Sequence, residues 1–194
     1  MPCSTSAASR RRLAACALAA AWLVAACAAP AGAPELALTG ARVEARGAGA
    51  VLLVECDWRL SAAMLEALDH GVVLGLRLRL ARQSAGVLGW RDAASVERHL
   101  ELRYFPLTRR YQLRDPEQGS VRSFGVRAAA LAALGRYEVP LASRDVVAGD
   151  GERQRLVVEF DTGTLPGALR LPALVQGQWR QAAAQRTWSG SRAG

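Results

Sequence analysis

The residues most suggestive of chemistry in this 194-residue chain are Phe160-Asp161-Thr162-Gly163. An Asp-Thr-Gly that follows an apolar strand can hold a carboxylate in a tight loop. There it shares a proton with a second Asp, so that one acts as acid and the other as base on a water molecule. Here the segment continues as Thr164-Leu165-Pro166, no apolar-apolar-Gly segment follows to support the loop, and only one such Asp occurs. A retropepsin-like dimer would be needed to supply the second, so a dimeric aspartic hydrolase using Asp161 stands as the alternative to a strand that ends in turn residues. His70 and His99 are the only histidines, with no Cys pair or carboxylate at ligand spacing, and no metal site is expected. The chain has no Gly-x-Ser-x-Gly elbow, phosphate loop or dinucleotide fingerprint, so no cofactor is expected. Cys56 shares an apolar strand face with Leu52, Val54 and Trp58, where a cysteine without a neighbouring His or second Cys reads as a small core residue. Val87, Leu88 and Trp90 fall at the expected tip of a loop over residues 84–94, which either folds back onto the sheet or exposes Trp90 to a partner or a membrane interface, and Trp90 and Leu88 are the candidate partner-binding residues.

These side chains depend on elements that begin after a leader. Arg10-Arg11-Arg12 precede an uncharged apolar run over residues 13–26, the order of a signal peptide and too short to span a bilayer. Val24-Ala25-Ala26-Cys27 resembles a lipobox, which marks Cys27 for lipidation. Ala26-Cys27-Ala28 also fits an ordinary signal-peptidase site, leaving a soluble periplasmic form as the alternative. Ala28 lacks the Asp that holds many lipoproteins in the inner membrane, so an anchored form would sit in the outer membrane. The expected organisation is a signal peptide over residues 1–26, a Pro/Ala/Gly tether over 27–35 and one domain over 36–189.

The net charge of +8 does not argue for nucleic acid. All 25 basic residues are Arg, and Lys, Asn and Ile are absent together, a codon bias of GC-rich coding. Without the three leader arginines, 22 Arg stand against 17 acids, an ordinary soluble surface. With three of the four cysteines in the leader, packing alone must hold the body together.

Within the body, Ala41, Val43 and Ala45 alternate with charges, Gly47-Ala48-Gly49 supplies a turn, and a strand resumes over residues 51–58. Ser61 caps a short helix carrying Met64, Leu65 and Leu68, which Gly71 closes. Leu74, Leu76, Leu78 and Leu80 mark the clearest strand, with residues 96–105 as its antiparallel partner. That pairing would set Arg77 and Arg79 against Glu97 and Glu101. A strand over 109–114, a turn at 115–119, and a helix capped by Ser123 and ended by Gly135 follow. Leu156, Val158 and Phe160 share a strand face, and a last strand lies within residues 177–189 between Trp179 and Trp188. The expected fold is mainly β, an antiparallel β-sandwich of about seven strands with two short helices.

Trp58-Arg59-Leu60-Ser61 with Ala67-Leu68 and Gly71, residues 104–111, Arg122-Ser123-Phe124 with Ala132-Ala133-Leu134-Gly135, and Asp161-Thr162 before Leu165-Pro166 together resemble the proteobacterial exported domain-of-unknown-function family DUF4390. The likeness covers residues 36–188. That family ends its strand in Asp-Thr without requiring the glycine, which weighs against the hydrolase, and its hairpin loop is tryptophan-rich, of which Trp90 is retained here. The resemblance implies export and gene proximity to a nitrogen-regulation-type membrane sensor kinase, and it carries over no catalytic residue. The expectation is a non-enzymatic envelope protein, held to the membrane through Cys27, that binds another protein such as the periplasmic part of a membrane sensor through exposed sheet edges and the Trp90 loop. An apolar-ligand carrier is a further alternative, and neither nucleic-acid binding nor a particular oligomeric state is expected.

Overall fold

The computed structural model describes residues 32–46, 49–141, 147–170, 179 and 182–189. The expected signal peptide, Cys27 and the first part of the expected tether lie outside the described residues, as does the turn expected at Gly47-Ala48.

Residues that alternate apolar with polar are driven to bury one face, and in this chain they build two antiparallel sheets. The first strand, β1 (Glu35–Arg46), pairs with β2 (Gly49–Arg59). Helix α1 (Ala62–Asp69) leads to β3 (Leu74–Gly86), β4 (Gly89–Phe105), β5 (Arg110–Asp115) and β6 (Ser120–Phe124). Helix α2 (Arg127–Leu134) then precedes β7 (Arg136–Leu141), β8 (Glu152–Asp161) and β9 (Ala183–Ser189). One sheet has the order β1-β2-β7 and the other β6-β5-β4-β3-β8-β9. The inner faces meet in one core, in which Leu52, Val54 and Val139 oppose Leu76, Leu78, Leu102, Leu156 and Val158. Trp58 meets Phe160 edge-on, with ring centroids 4.9 Å apart.

The sandwich matches expectation, but the described residues hold nine strands where about seven were expected. The two additional ones are β6 and β7. Ser123 does not cap α2. It continues the ladder opposite Gln112, because the Asp115–Gly119 turn sends the chain back along β5, and the helix starts after Val126 with no side-chain cap. Ser61 does cap α1, accepting the Met64 N–H at 3.2 Å, and Gly71 closes it at φ +81°. Gly135 follows α2 with an ordinary φ, and its glycine is required for another reason. A Cβ there would lie 2.6 Å from the Cys56 carbonyl oxygen. The Gly135 carbonyl accepts the Cys56 N–H at 2.8 Å, which ties the end of α2 to β2. Residues 167–170 add a helical segment that was not expected.

Register is set by the leucines. Leu74 lies opposite Leu102 and Leu76 opposite Leu100, which places Arg79 opposite Glu97 as expected but Arg77 opposite His99 and Glu101 opposite Gly75. Arg77 takes its carboxylate from β8 instead, with Nε 2.7 Å from Glu159. Buried leucine pairs outweigh exposed charge pairs, each worth under about 1 kcal/mol. The expected loop over residues 84–94 is also corrected. The ladder runs on to the pair Gly86 and Gly89 after a bulge at Ala93, leaving only Val87 and Leu88 as a turn.

Candidate partner-binding surfaces

A three-stranded sheet cannot cover a six-stranded one, and the mismatch falls on one side. On the β1 side the sandwich closes, where Arg186 of β9 donates to the Thr39 carbonyl at 3.3 Å. On the other side β7 is the margin of its sheet, while β5 and β6 continue beyond it. Helix α2 packs against β5, β6 and β7 and roofs part of this opening. What remains is a cleft of about 540 Å³. Leu100, Leu113, Val54 and Val139 supply its apolar lining, and Arg42, Glu55, Arg122, Arg136 and Glu138 its charged residues.

The backbone of β7 faces this opening in a known phase. The Gly135–Cys56 hydrogen bond fixes odd-numbered residues of β7 as the ones bonded to β2, so Arg136, Glu138 and Pro140 direct their backbone groups outward. Pro140 fits that phase because it has no N–H to donate to β2. Its carbonyl accepts Arg98 of β4 at 3.3 Å. Arg136 and Glu138 therefore present their N–H and C=O groups along an edge that no strand pairs with among the described residues. Sequence reasoning missed this edge, although an alternating Tyr137, Val139, Leu141 interrupted by a proline is the pattern of an edge strand.

Trp90 and Leu88 are placed at the far end of the β3–β4 hairpin. Leu88 is wholly exposed, beside Val87 at 99%. Trp90 sits in β4, 42% exposed, with the Arg153 guanidinium 4.4 Å from its ring. Behind it Asp92 accepts from Gln83 at 2.6 Å and from Arg155 at 3.0 Å. The Gln83 amide, then Arg155 and Arg79, hold the Asp92 carboxyl below the usual carboxylate range.

The remaining candidates are dispersed. Asp161 accepts the Gly163 N–H at 2.9 Å and so caps the 3-10 turn Thr162–Thr164. Its surroundings, Met64, Leu74, Phe160, Leu165 and Trp179, are mostly apolar. Cys56 is half-buried on the row with Leu52, Val54 and Trp58, and burial pushes its thiol up to about 11. Burial, with Cys56 adjacent, likewise holds the Tyr137 hydroxyl protonated. His70 ends α1, and His99 Nδ1 lies 2.8 Å from Glu117. Among the described residues no three of His, Cys, Asp and Glu gather at metal-binding distance, and no helix is long and apolar enough to cross a membrane.

Comparison with curated proteins and with solved structures finds no match. The model of one family, described as Domain of unknown function (DUF4390), matches residues 33–189, which takes in both sheets and the cleft between them. The chain belongs to the DUF4390 family.

Proposed function

We propose that this domain is a non-enzymatic protein-binding module of the cell envelope, which accepts an extended segment of another protein along the outer edge of β7. The observation that carries the reading is the outward phase of Arg136 and Glu138 beside an apolar-floored cleft. Main-chain pairing with such an edge gives affinity, and a pocket for alternate side chains gives selectivity. The basic leader with its apolar run supports export, and Val24-Ala25-Ala26-Cys27 supports a lipid anchor. The family resemblance points to the periplasmic part of a membrane sensor kinase as the partner. Asp161 enters this reading as a turn cap, not as a nucleophile-activating group.

The test is a photo-crosslinking residue at Arg136 in living cells, with Glu138→Pro as the blocking variant. Proline at that phase removes an outward N–H and leaves the β2 pairing intact, as Pro140 does naturally. A discrete protein adduct that disappears in a folded Glu138→Pro chain is the expected result. An adduct unaffected by proline, or lipid retained in the cleft in native mass spectrometry, would replace this reading. Mass spectrometry of the native N-terminus decides between acylated Cys27 and a soluble form.

A further inference from the structure

The β3–β4 hairpin ends in an unusual way. Pairing of β8 with β3 stops at Ser84 and Glu152, so residues 85–90 run past their neighbour on that side. A two-residue turn ordinarily takes Gly, Asn or Asp, yet this one holds Val87 and Leu88. Gly89 carries the positive dihedral at φ +112°, which lets two aliphatic residues occupy the turn with ordinary backbone angles. Both side chains are fully in water. One residue behind them Trp90 stands on one face of the hairpin with Arg153 stacked on its indole, and Arg91 stands on the other face with its guanidinium covering Gly86.

The charges at this end are uneven. Asp92 is held by Gln83, Arg79 and Arg155, and Glu152 by Arg82 at 2.5 Å and by the Gly149 N–H at 2.9 Å. Arg91 and Arg153 have no carboxylate within ion-pair distance among the described residues. The end therefore combines a convex apolar point, an amphipathic ring and surplus positive charge.

We propose that the Val87–Leu88 tip docks on an anionic lipid surface. The two aliphatic side chains enter the acyl boundary, Trp90 lies at the headgroup level, and Arg91 and Arg153 meet the phosphates. A convex point needs a yielding medium, and indole with guanidinium at an apolar–polar boundary is the arrangement that bilayer interfaces favour. Anionic headgroups supply the complementary charge. This contact is separate from the β7 edge and goes beyond the reading given above.

The test uses the full-length protein with an environment-sensitive fluorescent amino acid at position 87 and, in a second preparation, at position 107. Leu107 is equally exposed but stands alone in the turn at the opposite end of β4. Each preparation is mixed with vesicles of phosphatidylcholine alone or with one-third phosphatidylglycerol. The expected result is a blue-shift and quenching by lipid-borne quenchers at position 87 only, and only with the anionic vesicles. Leu88→Asp should weaken that signal by about tenfold or more, the scale of losing one buried leucine. Arg91→Glu should weaken it too, and Glu138→Pro should leave it unchanged. Because the probe reports locally, an acyl chain on Cys27 cannot mimic the signal. Equal responses at 87 and 107, an undiminished response in Leu88→Asp, or a shift produced by envelope proteins and not by vesicles would overturn the proposal.

Discussion

Replacing Gly135 with alanine places a methyl carbon 2.6 Å from the Cys56 carbonyl oxygen, where ordinary contact begins near 3.4 Å. The clash is between a Cβ fixed to the backbone and a backbone carbonyl oxygen, so no side chain can swing away. Relief requires the end of α2 to lift from β2, which stretches the 2.8 Å bond from Cys56 N–H to the Gly135 carbonyl. Overpacking of this kind costs about 1–3 kcal/mol, and a weakened hydrogen bond adds about 1 kcal/mol. Gly135 has φ −80° and ψ −12°, which alanine adopts without strain. The stiffer unfolded chain therefore returns up to about 1 kcal/mol. The net loss is about 1–4 kcal/mol, or roughly 3–12 °C in melting temperature for a domain of this size. Far-UV circular dichroism during thermal and urea unfolding measures it. Gly125→Ala is the control, since nothing lies within 4 Å of the place its methyl would take, and it should unfold like the parent or slightly later. A Gly135→Ala chain as stable as the parent, or an equal loss at Gly125, would refute the close-approach argument.

Acid should weaken the fold partly through Asp92. Its carboxyl is depressed in the native state, so its contribution is present above the unfolded value of about 3.9 and is lost as pH falls through the native one. Asp92→Asn should flatten the stability profile below about pH 4, and urea titrations across that range would show it. The Cys56 thiol, pushed up from 9.0 to about 11, should react with iodoacetamide about a hundredfold more slowly than a free thiol and accelerate on unfolding. Native labelling as fast as that of a short peptide would contradict its burial. Asp161→Asn keeps an oxygen able to accept the Gly163 N–H, so stability should change by less than about 0.5 kcal/mol, while Asp161→Ala should cost about 1 kcal/mol. A proteolytic activity present in the parent and absent in Asp161→Asn would instead restore the hydrolase alternative.

The long periodic stretches were legible because burial alone dictates them. Leu74 to Leu80 could face inward only as a strand, and Ser61 before an Ala-, Met- and Leu-rich run could start only a helix. The β6 and β7 strands were not legible for opposite reasons. Residues 120–124 carry little apolar signal and owe their pairing to the preceding turn, whereas Pro140 breaks the donor pattern within 136–141. The hairpin tip misled because Gly86, Gly89 and the polar residues near them look like a loop, while the ladder persists through backbone bonds that a bulge at Ala93 re-phases. The cleft is a property of two sheets of unequal width. No local window reports it, although Leu113 and Val139 were each recognisably apolar.

Uncovered strand margins tempt copies of one chain to queue into fibres. Pro140 contributes no donor at this margin, and Arg98 already occupies its acceptor. An incoming strand thus runs out of rungs after Glu138, too short a ladder for a growing stack. This margin should therefore not seed stacking of copies, and a guest accepted there would take its remaining grip from Leu100 and Leu113 beneath.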